Sequence, residues 1–224
     1  MLEVQPNRNP SVGIVIEGLA APIRIENLDT DQIMPKQFLH GIDKSGLAQG
    51  LLYDLRFDDD GHARPDFVLN RLDYAGTRIL IAGANFGCGS SREHAVWGLQ
   101  QYGIEAVIAP SFGEIFYSNA MNNRLMLVML PESQIAELMA DADRQGLVRV
   151  DVGAMRVKSG SVDAPFTLSE RHRRMFLEGL DVIGLSLTFK PQIDAFAQSH
   201  WAHQPWLHDV AQRTKQRLDQ NSIG

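Results

Sequence analysis

The chain has 224 residues, 44% of them hydrophobic and 21% charged, the composition of an ordinary globular protein long enough to bury one core. A net charge of −6 argues against nucleic acid or an anionic membrane as the main partner. The single cysteine allows neither an internal disulfide nor the several thiolates that hold an iron–sulfur cluster.

Residues 1–10, "MLEVQPNRNP", are polar and expected to be a flexible N-terminus. They lack the charged start and apolar stretch of a secretory signal. No apolar run reaches the length of a membrane span, so a cytoplasmic chain without a membrane role is expected. "SVGIVIEGLAAPIRI" (Ser11–Ile25) carries β-branched patches interrupted by Gly18 and Pro22, which predicts two short strands and a turn. "ENLDTDQIMPKQFL" (Glu26–Leu39) opens with turn formers and contains Pro35; it reads as a loop leaving a strand. From Gly41 to Asn70 polar turns alternate with short apolar groups, and "RFDDDGHARPDF" is a surface excursion with an Asp-Gly turn.

The middle of the chain is more regular. "TRILIAG" (Thr77–Gly83) is a buried strand, and "SSREHAVWGLQQYG" is a helix with Ser90 or Ser91 at its N-cap. His94, Trp97 and Gln101 share one face of that helix, and Gly103 stops it. "EAVIAP" is the next strand, and "SFGEIFYSNAMNN" is a helix that Ser111 and Glu114 open as a capping box. "RLMLVML" is a third strand, and "PESQIAELMADADRQG" is a helix running from Pro131 to Gly146. This β-α-β-α-β-α order predicts an α/β fold with a mostly parallel central sheet.

Residues 147–158 read as a β-hairpin, and "TLSERHRRMFLEG" as a helix capped by Ser169 whose Arg171–Arg174 run is a solvated face. The tail from Phe189 begins as helix. The expected organisation is a flexible segment over 1–10, one domain over 11–200 and a C-terminal tail over 201–224.

"GANFGCGSSREH" (Gly83–His94) concentrates glycines, the only cysteine, two serines, an arginine and a histidine. A dinucleotide site would place its glycine pair here, between strand and helix, but the third glycine is replaced by Arg92. A reactive thiol is a second reading, since Cys88 lies near a helix N-terminus; a small buried cysteine in a tight turn is the plainer one. A third reading uses more of the residues. Gly87 and Gly89 let the backbone turn and expose a helix N-terminus to an anion. Arg92 adds a planar fork suited to a carboxylate, and Ser90 and Ser91 then sit beside a polycarboxylate, where a hydroxyl loses its proton more easily. The alternative is that the serines only cap the helix and Arg92 pairs on the surface.

"NFGCGSSREHA" together with "YGIEAVIAPSFGEIFYSNAMNN" closely resembles the swivelling β/β/α domain of the aconitase superfamily. As a free chain, it resembles the small subunits of 3-isopropylmalate dehydratases. The resemblance extends over about residues 10–207 through "NLDTDQIMPKQFL", "LLYDLRFDDDGHARPDFVLN" and "LDVIGLSLTFKPQIDAFAQSHWAHQPW", one domain's length. The chain departs from the family pattern at Arg124-Leu125-Met126, where a Gly-Leu-Leu-Pro-like stretch is usual. It departs again at Leu55, where many members carry tryptophan, and at Ala84, where a charged residue is common. None of these touches "GSSR", and the resemblance implies that Leu55 and its neighbours affect substrate choice.

The resemblance implies a hydro-lyase subunit that interconverts 2- and 3-isopropylmalate in leucine biosynthesis, active only with its large subunit. It implies no metal or cofactor on this chain and a [4Fe–4S] cluster on the partner, whose iron acts as Lewis acid for the departing hydroxyl. By position in the motif, Ser90 resembles the base, and Ser91 and Arg92 the residues that bind the carboxylates of a small di- or tricarboxylate substrate. Asp29 and Asp31 would orient Arg92 or its neighbours, or simply cap a turn, and His94 is a further supporting candidate. The segment of about Pro35–Lys44 resembles the family's specificity loop; Phe38 and Leu39 would meet an isopropyl group there, or pack in the core. Homoaconitate, citramalate and other substituted malates are the alternative substrates, and a non-catalytic anion-binding module is the alternative class.

Overall fold

Val15–Ile23 forms one unbroken strand, β1, in the computed structural model, which describes residues 14–39 and 46–221. The expected break at Gly18 and Pro22 is absent because β1 changes partners along its length. Val15–Leu19 pairs antiparallel with β5 (Leu147–Asp151), and Ala20–Ile23 pairs parallel with β2 (Ile79–Ala82). Pro22 lies beyond the last β1–β5 pair, so its missing N–H costs that ladder nothing. Residues 1–10, expected to be flexible, lie outside the described residues, as does the part of the Pro35–Lys44 loop beyond Leu39.

The sheet runs β4-β3-β2-β1-β5-β6-β7, with β3 at Ala106–Ala109, β4 at Met126–Met129, β6 at Arg156–Lys158 and β7 at Asp163–Pro165. Its β1–β4 half is parallel and its β5–β7 half antiparallel. β2 and β3 are buried along their whole length, which is why they read as continuous apolar runs rather than alternating ones. β7 escapes the sequence pattern because three residues are too few to show a period.

The described residues also form ten α-helices: α1 Thr30–Ile33, α2 Leu47–Gly50, α3 Tyr53–Arg56, α4 Glu93–Tyr102, α5 Glu114–Asn122, α6 Glu132–Asp143, α7 Glu170–Glu178, α8 Val182–Leu187, α9 Lys190–His203 and α10 Val210–Asn221. α4 buries Ala95, Val96, Gly98 and Leu99 and packs on α2 and α5; Gly103, with φ of 108°, ends it as expected. α6 packs across β1, β2 and β3. Ser169 caps α7 by accepting from the His172 N–H. The Arg171–Arg174 run is not simply a solvated face. His172 lies against Tyr117, burial pushes its imidazole below the ordinary histidine value, and Arg173 donates to the Gly153 carbonyl.

Arg124 explains one departure from the family pattern. It follows the C-cap of α5 in the left-handed region, with φ of 60°, where glycine is the unstrained choice. Its guanidinium donates to the Gly179 carbonyl at 2.9 Å, just past α7.

The chain divides into two compact units, Met1–Asp181 and Val182–Gly224. The second unit holds α8, α9 and α10, and α9 has no buried residue. Within the second unit Phe196 stacks on His200, and His200–Trp201 and Trp201–His208 meet edge-on. Among the described residues, no helix is long and apolar enough to cross a membrane.

Candidate active site

Because β1, β2 and β3 are parallel neighbours, the loops leaving their C-terminal ends emerge side by side, where ligands bind in open α/β sheets. Two isolated parallel bridges, Asp29↔Cys88 and Phe86↔Phe112, carry the pairing beyond the strands. Asn27 donates its N–H to Ala84 O, Gly87 to Leu28 O, Thr30 to Cys88 O, and Gly113 to Phe86 O, all at 2.7–2.9 Å. "ENLDTDQI" therefore lies alongside "GANFGCGSSR". That contact joins the two stretches whose resemblance was specific.

Glycine is needed twice in this turn. Gly87 has φ of 73°, and a Cβ there would come within 2.3 Å of Phe116. Gly89 has φ of 93°, and a Cβ there would make only ordinary contacts, with Asp29 at 3.5 Å and the Thr30 hydroxyl at 3.7 Å. Cys88 is half-buried, with its thiol donating to the Asn27 carbonyl at 3.2 Å. It reads as a turn residue, and as one thiol it does not fit an iron–sulfur cluster.

The turn presents Ser90 and Ser91 to solvent and then Arg92, whose side chain is 15% exposed. Neither serine caps α4. Its N-cap is Arg92, without a side-chain cap bond, because the Arg92 N–H closes a tight turn onto Ser90 O at 2.9 Å and delays the helix to Glu93. Similarly, Ser111 does not cap α5: Gly113 is the N-cap, and Ser111 Oγ accepts instead from the Asn85 N–H at 2.9 Å.

The segment Glu26–Leu39 is more ordered than a loop. Asp29 caps α1 in a capping box, accepting from the Gln32 N–H at 2.7 Å while Gln32 Oε1 accepts from the Asp29 N–H at 3.1 Å. Asp31, two residues on, turns to the neighbouring loop. Its Oδ1 lies 2.7 Å from Arg92 Nη2 and 3.5 Å from Ser90 Oγ. Arg92 Nη1 also reaches the Met34 carbonyl at 3.4 Å. The two aspartates thus make different contacts: Asp29 caps α1, and Asp31 pairs with Arg92.

The other candidates make different contacts or none. Ser91 makes no hydrogen bond among the described residues, and His94 meets Trp97 edge-on with centroids 4.8 Å apart instead of joining Ser90. Pro35 is buried, while Phe38 and Leu39 are half-buried against the core, Phe38 packing on Tyr53 at 5.0 Å. Leu55 is likewise half-buried against the core. Asp58, Asp60 and His62 are close enough to share a metal ion, but Asp58 Oδ1 already accepts from the N–H groups of Asp60 and His62 in their Asp-Gly turn. Thr30 escaped the sequence reading. Its hydroxyl donates to Ser90 O at 2.9 Å, and no local signal marks a partner so distant in the chain.

The family described as the aconitase C-terminal domain matches residues 12–133. The 3-isopropylmalate dehydratase small subunit 1 of Chromobacterium violaceum is 66% identical over 205 residues, covering 91% of this chain and 97% of that protein. The chain belongs to the 3-isopropylmalate dehydratase small-subunit family. Another member, from Rhodospirillum centenum, is 47% identical over 195 residues, covering 86% of this chain and 96% of its own. Among solved structures, 3-isopropylmalate dehydratase from Methanocaldococcus jannaschii matches with a TM-score of 0.59 at 27% identity, covering 81% of this chain and 99% of that one. The aconitase-type α/β fold expected of this small-subunit family is the fold observed.

Proposed function

We propose that this chain is the small subunit of a cytoplasmic hydro-lyase that interconverts 2-isopropylmalate and 3-isopropylmalate in leucine biosynthesis. The observation that carries this reading is Asp31 Oδ1 at 2.7 Å from Arg92 and 3.5 Å from the exposed Ser90 hydroxyl. A carboxylate-binding fork and a hydroxyl share one solvent-facing turn. Relatives carrying the dehydratase small-subunit name align with this chain over nearly their whole length.

In this reading Arg92 binds a substrate carboxylate through its two-pronged edge, with Ser91 as a further donor. Ser90, as the alkoxide, accepts the proton from the carbon adjacent to the carbinol carbon. The C–H electron pair becomes the double bond as the C–O bond breaks and hydroxide leaves. Rehydration at the other carbon, with Ser90 returning a proton, yields the isomer. Asp31 holds the guanidinium in place until substrate arrives. Pro35–Leu39 continues directly from Met34, whose carbonyl meets Arg92, so this segment is the candidate for sensing the isopropyl group.

This chain's lone thiol does not fit a [4Fe–4S] cluster, which in this reading belongs to the large subunit together with the Lewis-acid chemistry it supplies. The test is reconstitution. The chain alone should be colourless and inactive, and with its large subunit it should isomerise isopropylmalate faster than homoaconitate or citramalate. Isomerase activity without a second polypeptide, or preference for another malate, would overturn the assignment.

A further inference from the structure

We infer that Thr30 is a positioning residue for Ser90, acting as a clip across the turn that carries the base. The inference rests on the proposed role of Ser90. Thr30 is 1% exposed and is one of three buried polar residues in the described chain, with Thr77 and Asp141. Its backbone N–H donates to Cys88 O at 2.9 Å, and its hydroxyl donates to Ser90 O at 2.9 Å. One residue therefore fastens the carbonyls on both sides of Gly89, the left-handed hinge of the turn. The same hydroxyl lies 3.5 Å from Ser90 Oγ, on the side of the turn where Asp31 also approaches.

The physical argument concerns freedom. Nothing crowds Gly89, where a Cβ would meet Asp29 and Thr30 at 3.5–4.0 Å, and glycine restricts its own backbone least of all residues. Ser90 is exposed and its Oγ is held only by 3.5 Å contacts, too long to fix a hydroxyl. Without the bond to Ser90 O, this peptide keeps only the tight-turn bond from the Arg92 N–H. Proton transfer is sensitive to displacement of this kind, a misplacement of about 1 Å costing about a hundredfold in rate. Binding through Arg92 is less sensitive, because Arg92 has its own anchors in Asp31 and Met34.

The experiment uses the full chain assembled with its large subunit. Thr30→Val removes the hydroxyl at nearly constant shape, Thr30→Ala removes it without risk of overpacking, and Thr30→Ser keeps it. The inference expects Thr30→Val and Thr30→Ala to lower kcat by about ten- to a hundredfold, with KM within about threefold and assembly unchanged. Thr30→Ser should restore most of the rate, and adding Thr30→Val to Ser90→Ala should cost nothing further. Wild-type kcat in both hydroxyl-free variants would overturn the inference while leaving the Ser90 reading intact, as would losses that multiply in the double variant. Normal turnover in Ser90→Ala alone would instead remove the reading on which the inference stands.

Discussion

Asp31 and Arg92 meet at 2.7 Å although each belongs to the loop after a different strand. The pair exists because β1 and β2 are parallel neighbours and the Asp29↔Cys88 bridge carries their register past the strand ends. The Asp31 side chain is 48% exposed and that of Arg92 15%, so the pair serves orientation more than stability. Arg92→Lys replaces a planar fork with a point charge and should raise KM for the malate at least about tenfold in the assembled enzyme. Asp31→Asn should raise KM several-fold with unchanged thermal stability. Steady-state kinetics beside a melting curve checks both, and an unchanged KM in Arg92→Lys would remove Arg92 from substrate binding.

Ser90→Ala separates chemistry from capping. A capping serine would cost about 1 kcal/mol when replaced by alanine, but the N-cap of α4 is Arg92 and Ser90 Oγ makes no cap bond. The variant should melt with the wild type and assemble normally, while kcat falls by about two orders of magnitude or more.

Gly87 and Gly89 should respond differently to alanine. At Gly89 only the left-handed backbone is disfavoured, since a Cβ meets nothing closer than 3.5 Å, so the cost should be about 1–2 kcal/mol. At Gly87 the same backbone cost is joined by a clash with Phe116 at 2.3 Å, and unfolding by urea should show a distinctly larger loss. Equal losses at the two positions would mean that Phe116 yields freely.

Asp141 ties α6 to the loop between β6 and β7. Its side chain is 5% exposed and accepts from the Ser159 hydroxyl, from both the N–H and hydroxyl of Ser161, and from Arg144. These donors, the Ser159 and Ser161 hydroxyls first, hold its carboxyl well below the usual carboxylate range. A group depressed on folding stabilises the fold above its unfolded value, about 3.9, and loses that contribution as pH falls toward the folded value. Urea midpoints should therefore drop below about pH 4 in the wild type, and less so in Asp141→Asn. That variant should be less stable at neutral pH by about 1–3 kcal/mol.

Much of the fold was legible along the chain because its cause is local. The unbroken apolar runs of β2 and β3 announce strands buried on both faces. Gly103 and Ser169 mark helix ends through backbone geometry and a side-chain bond of their own neighbourhood. The Ser90–Arg92 motif after a strand offered a carboxylate-binding fork beside two hydroxyls from its residue types alone, and the family resemblance supplied the roles.

Only the tertiary structure decided which residues meet. β1 survives Gly18 and Pro22 because two different neighbours share it, and neither neighbour is encoded in its own sequence. Ser90 and Ser91 were displaced from the cap because Thr30 and the Arg92 N–H both claim the Ser90 carbonyl. Asp29 and Asp31 look alike in sequence, yet the short helix between the loops turns one to its own backbone and the other to Arg92. Propensity and capping act over a few residues. A parallel sheet instead sets side by side loops that the chain keeps far apart, and those contacts form the candidate site.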